Sequence, residues 1–367
     1  MAEGITRQLS LKAAVRKRPA MYFGNGAPTV IPAIATGVLD GLLELASADY
    51  KGPVKIELRR TSAGQQITFF CAGLVNRELT GRNAVKWLLS LAEHRPWEFG
   101  WAAAASSTFG LTASDRRRTV RLRIVDGDRS SVSSRSAGTS PFLKISFQPH
   151  TKTFGHITQD EIFKIAGCIR DQAALHPGLF ISLRDNASPG ELGYYYPEGL
   201  RSLLFEADYQ RHSFHLGTLS FRRRTKKMNV EGHLRLVHAG VPFVRSYVNF
   251  KPTQGGAHVE GLGDALRDLF PDSTRGCREL EFVTNPDTGA RVKVPHSFIG
   301  ALHLRSPKPQ YGGPTRDILI GDDVREFVHK AASEALRRQW DALEKAKRKA
   351  VEQCYRKMKA SGQMGGQ

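Results

Sequence analysis

Residues 247–266 read YVNFKPTQGGAHVEGLGDAL. Alternation over 243–249 predicts a strand, Gln254–Gly256 predicts a turn, and the run from 257 to about 270 predicts a helix closed by Pro271. Working outward toward the N-terminus, the same alternation predicts strands near 214–221 and 232–238. Toward the C-terminus, VPHSFIGALHLR over roughly 294–305 predicts another strand, with Gly300 marking a bulge. A long helical pattern runs from Asp322 to about Lys359. In it Val324, Phe327, Val328, Ala331, Ala335 and Leu336 form an apolar stripe that thins after Leu343.

Further upstream, FLKISFQ (142–148) and LFISLRD (179–185) predict strands. They flank a helix from Gln159 to Ala173, which Thr158 and Glu161 open as a capping box. The stretch 128–140, DRSSVSSRSAGTS, has no periodicity and predicts a linker. Before it come strands at 119–127, 66–71 and 54–60 and a helix near Ala84–Glu93. Ile31, Ile34, Val38, Leu42 and Leu45 predict a helix over Ile31–Ala46, and Pro19 ends the helical character of 5–20. No repeat of fixed period is present. The expected architecture is α/β (α+β): a first mixed domain over 1–138, a second over 139–343, and a basic helical tail over 344–367.

The 367 residues carry 54 Lys and Arg against 35 Asp and Glu, a formal charge of +19. Apolar content of 40% and charged content of 24% exclude wholesale disorder. No apolar run reaches the ~18 residues of a membrane helix, and no secretory leader is read at the start, so a cytoplasmic setting is expected. The four cysteines lack ligand spacing, so no metal site and no disulfide framework is expected.

The excess positive charge selects a polyanionic partner, nucleic acid first. Arg116, Arg117 and Arg118 lead into a strand whose alternation puts Arg121 and Arg123 on one face, with Leu122 and Ile124 on the other. Arg222, Arg223, Arg224, Lys226 and Lys227 form a second cluster between two strands. Lys345, Lys347, Arg348 and Lys349 lie on the terminal helix. All suit phosphate contacts, which position nucleic acid without reading its sequence. No aromatic-interleaved motif for single strands is evident in the sequence.

Four stretches in order resemble one family. VRKRPAMYFG (Val15–Gly24) resembles the VRKRPGMYIG signature of type II topoisomerase B subunits, those of gyrase and topoisomerase IV. LHPGLFISLRD (175–185), YPEGLRSLL (196–204) and the 247–266 stretch resemble that family's transducer segment. The resemblance implies a GHKL ATPase-like domain, a transducer domain of ribosomal-S5-like fold and a long basic C-terminal helix. It also implies a nucleoid-associated role, DNA as partner, and a homodimer or pairing with gyrase or topoisomerase subunits. No acidic cluster like that of the family's TOPRIM domain is found, so strand cleavage is not expected.

The family's nucleotide residues are replaced. Its water-activating Glu falls at Gly37 and its Mg²⁺-holding Asn at Gly41, so no catalytic residue is assigned. Asp40 and Glu44 stand where the family does no hydrolysis. The adenine-binding Asp falls at Ala72, with Asn76 the nearest polar substitute. The Gly-rich lid falls on Phe99–Ser107, where Ala102–Ala105 suit a helix better than a phosphate nest. With Leu42, Leu45 and Leu74, that alanine run is expected to fill the pocket. The switch loop falls at Pro314-Thr315-Arg316, leaving Thr315 and Arg316 as residual cofactor contacts.

No cofactor is expected, ATP and Mg²⁺ entering only if the family activity survives. The expected function is that of a catalytically degenerate, DNA-binding paralogue in DNA topology or chromosome maintenance. One alternative is a genuine ATP-hydrolysing B-type subunit working with separate partner chains. The other is a scaffold that pairs with a true gyrase subunit.

Overall fold

The computed structural model describes residues 10–23, 30–45, 50–61, 64–73, 97–115, 117–136, 140–209, 215–237, 242–269, 280–285, 289–294, 298–313, 316–342 and 349. The expected helix at 84–93 lies outside them. The chain divides into two compact units, Met1–Pro197 and Glu198–Gln367.

The first unit opens with α1 (Leu11–Lys17), capped by the Ser10 hydroxyl, which accepts from the Ala13 amide at 3.3 Å. Pro19 ends it, and a single turn, α2 (Ala20–Phe23), follows. α3 (Val30–Leu45) buries Ile31, Ile34, Val38 and Leu42, the face its periodicity predicts. The chain then runs through β1 (Val54–Thr61), β2 (Gly64–Ala72), α4 (Trp97–Ala105), β3 (Ser106–Ser114), β4 (Arg118–Val125), β5 (Asp128–Ser136) and β6 (Phe142–Pro149). After a turn of helix, α5 (Thr151–Phe154), come α6 (Gln159–Leu175), β7 (Phe180–Asp185) and β8 (Leu192–Tyr195). The predicted capping box opens α6: Glu161 accepts from the Thr158 amide at 2.8 Å, and its own amide donates to the Thr158 hydroxyl at 3.3 Å.

These strands make one eight-stranded sheet in the order β5-β4-β3-β6-β2-β1-β7-β8. Leu122, Leu111, Ile145, Phe69, Ile56 and Leu183 stand opposite one another across six strands and are all buried. That row is the centre of a core shared with α3, α4 and α6. Because side chains alternate between faces, each neighbouring row points away from the core.

The Ser-rich stretch is not a linker. Residues 128–136 form edge strand β5, paired antiparallel to β4 through a turn at Asp126 (φ 49°) and Gly127 (φ 79°). Positive φ at both central residues suits a tight hairpin. Backbone groups make the ladder, so a serine-rich edge strand needs no apolar alternation. The boundary expected at 138 moves accordingly. β6, which follows the serines, lies between β2 and β3, and β7 pairs parallel with β1. The first unit therefore runs on to Pro197.

The second unit starts with a 3-10 turn at 199–201 and α7 (Ser202–Tyr209). Then come β9 (His215–Arg224), β10 (Asn229–Val237), β11 (Phe243–Val248), β12 (Lys251–Thr253), β13 (Gly255–Gly256) and α8 (Ala257–Leu269). The remainder is β14 (Leu280–Asn285), β15 (Ala290–Val294), β16 (Phe298–Arg305), β17 (Gln310–Tyr311), β18 (Ile318–Ile320) and α9 (Asp322–Ala342). A five-stranded sheet runs β12-β11-β16-β10-β9, with β11 and β16 parallel. Leu219, Phe221, Leu234 and Leu302 on one face of it pack with Val259 and Leu262 of α8 and Val328 and Leu336 of α9.

Two expectations change here. The strand expected over roughly 294–305 is described as β16 from Phe298 to Arg305, and Val294 is the last residue of β15. Gly300 makes no bulge, since its pairings with Leu234 and Val244 are both in register. A Cβ there would come within 2.8 Å of Leu234 and 2.9 Å of Val244, so the glycine makes room for its neighbours. Gly261 lets α8 approach the backbone of α9 at Arg325. The predicted stripe on α9 is confirmed, with Val324, Val328, Ala331 and Leu336 buried.

Candidate functional site

Gly37 and Gly41 lie one helical turn apart on α3. A Cβ built at Gly37 would sit 3.4 Å from Cγ of Glu98, in the first turn of α4. The space beside this glycine is thus bounded by the Glu98 side chain of another helix, which the sequence reading missed. Leu42 is fully buried and Leu45 packs against the same core. Leu74 and Asn76 lie outside the described residues. Ala72 ends β2, and its carbonyl accepts from the Tyr50 hydroxyl at 2.9 Å. Burial pushes the neighbouring Cys71 thiol up to about 12, so it is inert as a nucleophile.

Ala102–Ala105 form the buried end of helix α4. Arg16 holds that end. Its Nε donates to the Ala104 carbonyl and Nη2 to the Ser106 carbonyl, each at 2.9 Å. The same guanidinium pairs with Asp126 at 2.8 Å, as does Lys12. Hydrogen bonds from Lys12 and Arg16 hold the Asp126 carboxyl at about 2. One arginine of the VRKRP stretch thus ties α1, α4 and the β4–β5 hairpin together. An alanine helix presents side chains, not the open row of amides a phosphate needs. Among the described residues, Gly37, Gly41 and Ala72 bring no carboxylate or amide side chain to these positions. Thr315 lies outside the described residues. Arg316 is exposed at φ 57°, and its amide donates to the Gly313 carbonyl at 3.3 Å.

In the second unit, β9 carries Arg222 and Arg224 on one face and Arg223 on the other. Arg222 stands opposite Glu231, and Arg224 opposite Asn229, which on its other side faces Arg305. Arg222, Arg224 and Arg305 are exposed and share one face. Partial burial, then repulsion from Arg224, lowers the pKa of Arg305 below the usual arginine value. Its guanidinium lies 4.4 Å from the centre of the Phe250 ring. Glu231 is the nearby counter-charge, 3.7 Å from Arg222 and 3.0 Å from His233. Lys226 and Lys227 are exposed on the β9–β10 turn, which the Thr225 hydroxyl holds by accepting from the Met228 amide at 2.9 Å. Arg223 leaves this cluster: its guanidinium lies over the Phe327 ring of α9 at 5.7 Å. Arg305 escaped the sequence reading because only strand register brings it beside Arg224.

In the first unit, Arg117, Arg118, Arg121 and Arg123 are exposed. The amides of Arg117 and Arg118 donate to the Asp115 carboxylate at 2.7 and 2.6 Å, which fixes the turn before β4. Arg121 and Arg123 share a face as predicted, with Leu122 buried on the other. Arg116, Lys345, Lys347 and Arg348 lie outside the described residues, and Lys349 is exposed. Among the described residues no helix is long and apolar enough to cross a membrane.

Residues 199–364 match the DNA gyrase B family. The chain is 22% identical over 348 residues to the DNA gyrase B protein of Synechocystis, covering 88% of this chain and 32% of that one. It is 23% identical over 346 residues to the B protein of DNA topoisomerase 4 from Pseudomonas aeruginosa, covering 88% and 53%. The chain thus spans from about a third to about half of the curated relatives it matches. In fold it is similar to the 43K ATPase domain of Thermus thermophilus gyrase B, solved with an aminocoumarin, at a TM-score of 0.69, 18% identity and 96% coverage of both chains. The chain is thus similar to the B proteins of gyrase and topoisomerase 4, and its residues 199–364 match the DNA gyrase B family.

Proposed function

We propose that this protein is a DNA-binding, catalytically degenerate relative of gyrase B, acting in DNA topology or chromosome maintenance. The observation that carries the reading is the shared face of Arg222, Arg224 and Arg305, with Lys226 and Lys227 beside it. Among the described residues the counter-charge beside them is Glu231, opposite Arg222. Such a surface suits phosphates and reads no bases. Gly37 and Gly41 support the second half of the proposal. A helix without carboxylate or amide at those positions has nothing to activate water or hold Mg²⁺. A homodimer, or pairing with a gyrase or topoisomerase subunit, belongs to the same reading.

Duplex titration by fluorescence anisotropy tests it. Affinity is expected to fall by roughly 10³ between 50 and 200 mM salt if about six phosphate contacts form. Affinity that ignores salt, with tight capture of a gyrase subunit instead, would move the reading to a scaffold.

A further inference from the structure

The core row of the eight-stranded sheet has a counterpart on the opposite face. In register across β4, β3, β6, β2, β1 and β7 stand Arg121, Thr112, Lys144, Phe70, Lys55 and Ser182. Phe70 thus has Lys144 directly on one side and Lys55 directly on the other. Arg123 and Arg184 belong to the next row, and Arg135 of β5 stands opposite Thr119 on the same face. Arg121, Arg123, Arg135, Lys144, Lys55 and Arg184 are all exposed, and none makes an ion pair among the described residues. From β4 to β7, the register places one acidic side chain here, Glu57, and Arg59 already neutralises it at 2.7 Å.

Aromatic rings lie among these cations. Phe70 and Phe142, both half-buried, stack at 5.7 Å with 29° between their planes. Farther along, Phe180 is 40% exposed and stands opposite Tyr195, 56% exposed. A depression of about 370 Å³ opens at one end, lined by Glu57, Leu58, Arg59, Arg184 and Asn186.

We infer that this face is a binding platform for single-stranded nucleic acid, lying across the strands. Its charge complements a phosphate backbone. Strands lie roughly 4.8 Å apart, so Arg121, Lys144 and Lys55, on alternate strands, recur at roughly 10 Å. Rings between the cations offer unpaired bases a stacking surface that a duplex, with its bases inside, cannot use. The inference extends the nucleic-acid reading above to a second surface, in the other unit, and rests on that reading.

The test is anisotropy of a labelled 20-nucleotide oligo-dT and of a 20-base-pair duplex with the full chain. Four forms are compared: wild type, Phe70→Leu, Lys55→Glu with Lys144→Glu, and Arg222→Glu with Arg224→Glu. Phe70→Leu keeps apolar volume and removes the ring face, and a melting curve checks its fold. The expected result is about tenfold weaker oligo-dT binding for Phe70→Leu, with duplex binding unchanged. The lysine reversals should weaken oligo-dT by more than tenfold, while the Arg222 and Arg224 reversals weaken mainly the duplex. Oligo-dT binding unchanged in both first-unit variants would overturn the platform. So would equal losses for oligo-dT and duplex in the lysine variant, with none in Phe70→Leu. Failure of the wild type to bind either probe would overturn the nucleic-acid reading itself, and the platform with it.

Discussion

Arg223 lies over the ring of Phe327, 5.7 Å from its centre, while its neighbours on either side in β9 point to the opposite face. Three consecutive arginines therefore have two different surroundings. Arg222→Ala with Arg224→Ala is expected to weaken duplex DNA binding about equally for all sequences, lowering the salt slope by about one per lost contact. Arg223→Ala should leave binding unchanged and cost about 1 kcal/mol of stability, from the ring contact and the packing of its stem. Anisotropy at several salt concentrations, with a urea melt of each variant, separates the two.

No saturable binding of a fluorescent non-hydrolysable ATP analogue is expected. Gly37→Glu with Gly41→Asn should not create turnover, because Ala72 and the buried Ala102–Ala105 helix remain. Mg²⁺-dependent hydrolysis by the wild type that a change in α3 abolishes would contradict this.

Gly37→Ala makes the same helix a stability probe. The added methyl would meet Glu98 at 3.4 Å, an ordinary contact. Alanine is better than glycine in a helix interior by about 0.8–1 kcal/mol, so the melting temperature should rise. Gly37→Glu brings a second carboxylate beside Glu98 and should gain less.

His258, at the start of α8, is fully buried, with its Nε2 3.1 Å from the Thr253 hydroxyl. Burial pushes its pKa down to about 3. The folded state therefore keeps the ring neutral, while the unfolded chain takes up a proton below about 6.5. Stability contributed by this group is full above that value and is lost as pH falls from about 6.5 toward 3. The slope is at most about 1.4 kcal/mol per pH unit. His258→Gln should flatten that slope in urea melts run at intervals from about pH 4 to about pH 7.

Gly261→Ala should act on the contact between α8 and α9. Its methyl would press on the Arg325 carbonyl, which is backbone and cannot rotate away. A loss of about 1–3 kcal/mol is expected, read as a lower urea midpoint. An unchanged midpoint would mean that the two helices separate easily.

Local chemistry carried much of the architecture. The stripe on α3, the Thr158–Glu161 capping box and the alternation in β4 each depend on neighbours a few residues away, so the chain order alone reveals them. That Gly37 and Gly41 share a helix was legible for the same reason, since both fall in the one apolar-periodic stretch. Residues 128–136 were misread because an edge strand is held by backbone hydrogen bonds to β4, which serine side chains neither signal nor oppose. Pairing between distant segments was hidden too: β6 inserts between β2 and β3, and no local pattern encodes that choice. The same long-range register brings Arg305 to Arg224 and sets Phe70 between Lys144 and Lys55. Period-two alternation told which residues of each strand share a face, and only the tertiary structure decided which strands lie side by side, because that depends on how the whole apolar row is buried.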